Sequence, residues 1–141
     1  MSPGDPQPSL PSRGLLDTSA FIAIEGGRPL LRESLPAELV STVITYAELS
    51  AGVISAQTAE LRAGRLRTLT QVASMPILGI DVRAAEQWAR LRVHIRDLGR
   101  RMNVNDAWIA AIALAHDLPV VTQDDDFDAL ARFPGLTVIR V

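Results

Sequence analysis

Gly14-Leu15-Leu16-Asp17-Thr18-Ser19 is the stretch on which the fold turns. A short apolar run stops abruptly at residues that favour helix N-caps, so the segment reads as a strand running directly into a helix. The alternation recurs downstream. Glu38 to Thr42 reads as a short strand, and Val43 to Ser55 carries Ile44, Ala47, Ala51 and Ile54 at helical spacing, a stripe predicted to face the core. Gln57 to Val72 sets Leu61, Leu66 and Leu69 among arginines, and Pro76 stops it; these two helices are predicted to form a hairpin. Ile77 to Ile80 is a brief apolar run before Asp81. Val82 to Leu98 is again helical, through Ala85, Trp88, Ala89, Leu91 and Ile95, with Gly99 ending it. Val104 to Ala115 is almost wholly apolar after Asp106 and is predicted to be a helix buried nearly all round. Beyond Pro119 come the strand Val120-Val121-Thr122, a short helix near Asp128 to Arg132, and a last strand, Leu136 to Ile139. Strands alternating with helices predict an α/β fold, a three-layer α/β/α sandwich around a central parallel sheet.

The length of 141 residues fits one compact domain. The segment 1–13, polar and with four prolines, reads as a flexible N-terminal leader, which leaves residues 14–141 as the domain. No apolar run reaches the roughly 18 residues of a membrane span, and the start lacks the pattern of a secretory signal. With no cysteine, disulfides, thiolate metal sites and cysteine nucleophiles are excluded, and a cytoplasmic location is the default. A formal net charge of −2 excludes the coating of nucleic acid by bulk charge. All fourteen basic residues are arginine, so any phosphate contact uses the planar bidentate fork.

In an open parallel sheet, ligands bind outside the carboxyl ends of the strands, where strand order reverses. Asp17 follows one apolar run directly and Asp124 lies two residues beyond another, so both are expected at that edge. Each also reads as an ordinary N-cap, and Asp106 as a carboxylate complementing a helix N-terminus. Glu48 is different, because it lies on the helical stripe predicted to face the core. A buried carboxylate there needs an arginine partner or a cation shared with other acids. Oxygen donors without histidine or cysteine suit Mg²⁺ or Mn²⁺. His94 and His116 lack metal-ligand spacing and read as structural.

Four segments carry these acids: Leu15-Leu16-Asp17-Thr18-Ser19-Ala20, Thr45-Tyr46-Ala47-Glu48-Leu49, Asn105-Asp106-Ala107-Trp108-Ile109-Ala110-Ala111 and Val121-Thr122-Gln123-Asp124-Asp125-Asp126-Phe127. In order and spacing they resemble the PIN-domain nucleases, in particular the VapC-type toxins of toxin–antitoxin pairs. The resemblance runs from about Gly14 to the C-terminus. It implies a Mg²⁺-dependent endoribonuclease in which Asp17 and Asp106 are direct metal ligands, with Glu48 and Asp124 completing the cluster partly through water. Asp126 is the alternative to Asp124 as fourth acid, and Ser19 and Thr122 are candidates to hold carboxylates or waters. The resemblance also implies an RNA substrate, a cognate VapB-type antitoxin, expected on the helices between Val43 and Val72, and a homodimer. Arg90, Arg92, Arg96, Arg100 and Arg101 form the densest candidate for gripping substrate. A non-catalytic binding module with the same scaffold is the rival reading. A phosphoryl-transfer enzyme is disfavoured, since Ser19 stands where a DxDxT motif needs its second Asp and the chain has no lysine.

Overall fold

The computed structural model describes residues 11–141. Most of the expected leader lies outside these residues. Its last residue, Arg13, already belongs to the first strand, because the Glu38 N–H donates to the Ser12 carbonyl (3.0 Å) and so extends the ladder by one rung. In chain order the elements are β1 (Arg13–Leu16), α1 (Thr18–Glu25), β2 (Glu38–Thr42), α2 (Val43–Ile54), α3 (Ala59–Ala73), β3 (Ile77–Leu78), α4 (Val82–Asp97), α5 (Val104–Ala115), β4 (Val120–Thr122) and β5 (Val138–Arg140). The expected helix near Asp128 is a single 3₁₀ turn, Asp128–Leu130, and the last strand lies about two residues later than predicted.

All strand pairs are parallel, in the order β3-β2-β1-β4-β5. The chain leaves β1 in one direction toward β2 and β3, then returns to β1's other side with β4. The topological switch therefore falls between β1 and β4. Gly14 sits at this centre for want of room: a Cβ there would lie 2.7 Å from Val121 Cγ2 and 2.8 Å from Pro36 Cγ.

Alternate residues of the strands feed two cores, as a pleated sheet covered on both faces requires. Leu15, Val40 and Val120 join the core of α4 and α5. Leu16 and Val121 join the core of Phe21 from α1, Leu49 from α2 and Val72 from α3. The predicted three-layer sandwich is the observed one. As predicted, α5 is buried throughout from Ile109 to Ala115, and Gly99, at φ +66°, turns the chain out of α4.

The face of α2 differs from expectation. Ile54 is 82% exposed and Ala47 and Ala51 face outward, while Thr45 and Leu49 are buried. Hydrophobicity alone favoured the Ile/Ala stripe, but the sheet and α3 cover the side of α2 a third of a turn away.

Candidate metal and active site

The switch point brings the acids together. Asp17 ends β1 and caps α1, its Oδ1 accepting from the Ala20 N–H at 3.3 Å. It is not only a cap. Ser19 Oγ donates to the same oxygen at 2.8 Å, and Thr122 Oγ1, across the switch on β4, donates to Oδ2 at 2.9 Å. Both hydroxyl protons are thereby directed at Asp17. The 3.2 Å approach of Ser19 Oγ to Thr122 Oγ1 is then a by-product of converging on one carboxylate. Asp17 is 2% exposed. Burial raises its pKa from the ordinary 3.8 to about 6, against the lowering effect of Ser19, Thr122 and the Ala20 N–H and with a further raise from the Asp124 charge.

Asp106 stands in the first turn of α5, whose N-cap is Asn103; the Asn103 side-chain carbonyl accepts from the N–H groups of Asn105 (2.8 Å) and Asp106 (3.4 Å). Among the described residues no hydrogen bond reaches the Asp106 carboxylate. Burial, then the charges of Asp126, Asp17, Glu48 and Asp124 in that order, push it up to about 7. All four other acids thus act on Asp106, which places it at the electrostatic centre of the group.

Glu48 is half-buried rather than core-facing, and it is not unpartnered. Thr18 Oγ1 donates to its Oε1 at 2.8 Å and lies 2.9 Å from the wholly buried Thr45 Oγ1. With Thr18's proton committed to Glu48, Thr45 donates to Thr18, giving a chain Thr45→Thr18→Glu48. The sequence predicts Glu48 facing the core with an arginine or a shared cation as its partner; among the described residues no arginine pairs with it, and its partner is a hydroxyl backed by the buried Thr45, one turn earlier on α2. Thr18 and Thr45 are the residues sequence reasoning missed. Both lay inside the quoted segments, but a threonine at a helix start reads only as a cap.

Asp124 does not cap a helix. Its Oδ1 accepts from the Asp126 N–H at 3.0 Å and lies 3.3 Å from Thr122 Oγ1. Asp126 is exposed and its pKa is raised, by burial first and then by the charge of Asp124 and a hydrogen bond with it. The two are placed differently: Asp124 is tied through Thr122 to Asp17, while Asp126 raises the Asp106 pKa more than the other acids do. His94 packs edge-on against Phe133, with ring centroids 5.2 Å apart, and exposed His116 ends α5. Neither belongs to the site.

Among the described residues no arginine forms an ion pair with these acids: the ion pairs are Arg13–Glu38 and Arg96–Asp97, both at the surface. Nor, among the described residues, do three acids or imidazoles approach closely enough to enclose an ion by themselves. The residues nevertheless fit a hard cation: the donors are all oxygens, no cationic side chain is paired with them among the described residues, and Mg²⁺ is commonly held by only one or two carboxylates with waters completing its shell.

The PIN domain family model matches residues 14–133. The chain is 51% identical over 131 residues to Ribonuclease VapC5 of Mycobacterium tuberculosis, covering 93% of this chain and 97% of that protein. It is 39% identical over 129 residues to Ribonuclease VapC4 of the same organism, covering 92% and 97%. Among solved structures, VapBC-5 of M. tuberculosis, a member of the VapBC family of toxin–antitoxin systems, has a chain that superposes with a TM-score of 0.88 at 49% identity. That match covers 93% of this chain and all of the other. No helix among the described residues is long and apolar enough to cross a membrane.

Proposed function

This chain belongs to the PIN-domain family, among its VapC ribonucleases, and from that premise we propose that it is a Mg²⁺-dependent endoribonuclease, the toxin of a toxin–antitoxin pair. One observation carries the metal reading: Asp106 is pushed up to about 7 by burial and four neighbouring acids, with no cationic side chain paired to any of them among the described residues. At neutral pH Asp106 alone in such a cluster is only partly ionised, and a divalent ion supplies the counter-charge that favours its anion.

Asp17 and Asp106 hold the ion directly, and Glu48 and Asp124 complete the site through water, with Asp126 beside Asp106. When bound, Mg²⁺ makes water more acidic and supplies counter-charge to an RNA phosphate. The protein's contribution is orientation. Ser19 and Thr122 hold both oxygens of Asp17, and the Thr45–Thr18 chain leaves Glu48 Oε2 free to face the site. Asn103 secures the start of α5, on which Asp106 rides. Supporting contacts of this kind typically govern metal affinity and activity by about 10–100-fold.

The same premise supports an antitoxin partner, for the matched solved chain comes from a toxin–antitoxin complex. The outward face of the α2–α3 hairpin, with Tyr46, Ile54, Leu61 and Leu66 exposed, suits an amphipathic helix of a VapB-type antitoxin. Residues 14–141 act as a single domain in this scheme, paired as a homodimer.

Mapping of 5′ ends in cellular RNA, after induction of the wild type beside Asp17→Asn, tests the activity. New ends and growth arrest confined to the wild type support it. With purified protein, EDTA is expected to abolish cleavage and added Mg²⁺ or Mn²⁺ to restore it. Cleavage unaffected by EDTA refutes the metal mechanism, and absence of both cleavage and Mn²⁺ binding favours a non-catalytic module.

A further inference from the structure

Outside the acid cluster, a groove of about 560 Å³ runs between α4 and α5, within the ~300–1,000 Å³ range of specific ligand clefts. Its floor is apolar, with Leu91, Ile95 and Met102 among its residues, and its rim carries Arg92, Arg96, Arg100 and Arg101 with no acid among the lining residues. Only Arg96 has a carboxylate partner among the described residues, an exposed contact of 3.4 Å to Asp97 next to it in sequence. At one wall Trp88 stacks on Trp108, with centroids 4.9 Å apart, and the Arg92 guanidinium lies 5.3 Å from the Trp88 ring centre. The Trp88 indole N–H is buried without an acceptor among the described residues. The groove ends at Val104 and Ala107, the residues that bracket Asp106 on the opening turns of α5. Arg90 stands apart, beside His94 and Asp97.

We propose that the α4–α5 groove holds a single-stranded segment of the RNA substrate next to the acid cluster, a base against its apolar floor and the flanking phosphates on its arginine rim. The proposal rests on the ribonuclease reading and gives it a substrate subsite. Four arginines, of which only Arg96 has an exposed carboxylate partner among the described residues, leave a positive edge that phosphates complement, and the guanidinium fork both grips phosphate and stacks on bases. An apolar floor beneath such an edge takes a nucleobase, as single-strand binding surfaces do. Val104 and Ala107, on the same opening turns of α5 as Asp106, put the groove and the cluster at one end of that helix.

The test uses the full chain carrying Asp106→Asn, which lowers the negative charge of the cluster and prevents cleavage. Binding of a short fluorescein-labelled oligouridylate is read by anisotropy across a salt series. Adding Arg100→Gln and Arg101→Gln, both at exposed loop positions, is expected to raise Kd about tenfold and to flatten the log–log salt slope by about 0.7 for each phosphate no longer neutralised. Arg67→Gln with Arg83→Gln removes the same charge at exposed positions outside the groove and is expected to shift Kd by no more than about twofold. Equal losses in the two double variants, or no loss in either, overturn the proposal. So does tight binding of an acidic amphipathic helical peptide that competes for Arg100 and Arg101 where the oligouridylate does not bind. RNA that binds in the groove yet survives intact with the wild type and Mg²⁺ removes the ribonuclease reading and leaves the groove assignment standing.

Discussion

Asp17 and Asp106 both stand at the start of a helix, yet they are built in opposite ways. Asp17 is almost wholly buried and receives three hydrogen bonds, from Ser19, Thr122 and the Ala20 N–H. Asp106 is only partly buried and receives none among the described residues, and its pKa nonetheless rises further, to about 7 against about 6. Donors aimed at an ionised carboxylate offset its desolvation, whereas neighbouring acids add to the cost. Donors within the fold thus offset part of the cost of the Asp17 anion, while Asp106 has no such donor among the described residues and, in the proposed function, draws its counter-charge from a bound cation.

The largest expected effect is on cleavage. Asp17→Asn and Asp106→Asn should each reduce it by more than the ~10–100-fold that loss of a supporting residue costs, measured on a defined RNA with saturating Mn²⁺. Their stabilities should diverge. In EDTA at pH 8, Asp106→Asn is expected to raise Tm, since it removes an ill-favoured charge, whereas Asp17→Asn lowers it by setting an amide N–H₂ against hydroxyl donors. Equal Tm shifts would break the contrast.

Next in size is the pH dependence. Both carboxyls have folded pKa values above 3.8, so the metal-free folded state holds more protons than the unfolded chain between about pH 4 and 7. Stability is therefore fully present below about 4 and declines as pH rises through 6 and 7. Calorimetry in EDTA should show Tm falling across that window, less steeply in Asp106→Asn. Mn²⁺ binding should tighten over the same range and release protons; a flat profile in both measurements would contradict the assignment.

Smaller effects sharpen the comparison. Thr122→Val removes one of Asp17's donors and should weaken Mn²⁺ affinity by about 10–100-fold, seen in titration calorimetry. Thr45→Val, two hydroxyls away from Glu48, should cost less than Thr122→Val. The smallest effect belongs to Asp97→Asn. Its exposed pair with Arg96 is worth about 0.5 kcal/mol at most, and urea unfolding should barely register its loss.

Much of this was legible in the residues. The bounds of β2 and the spans of α2, α4 and α5 follow from apolar spacing and stop signals that act within a few residues. The placing of Asp17 and Asp124 at one sheet edge followed from their positions after apolar runs. The face of α2 did not, because the stripe through Ile44 and Ile54 and the one through Thr45 and Leu49 both satisfy helical spacing. What decides between them is the surface laid over the helix. Asp126 could not be separated from Asp124 along the chain, because three consecutive acids look alike until the loop folds.

The sequence by itself determined the alternation of strands and helices, the all-oxygen character of the acids and their place after β1 and β4, all properties of neighbouring residues. Only the tertiary structure decided the 3-2-1-4-5 strand order, the reach of Thr122 across 105 positions to Asp17, the hydroxyl chain behind Glu48 and the dependence of Asp106 on its four neighbours. Those are contacts between segments far apart in the chain, and their energies arise only when packing excludes water from between the groups.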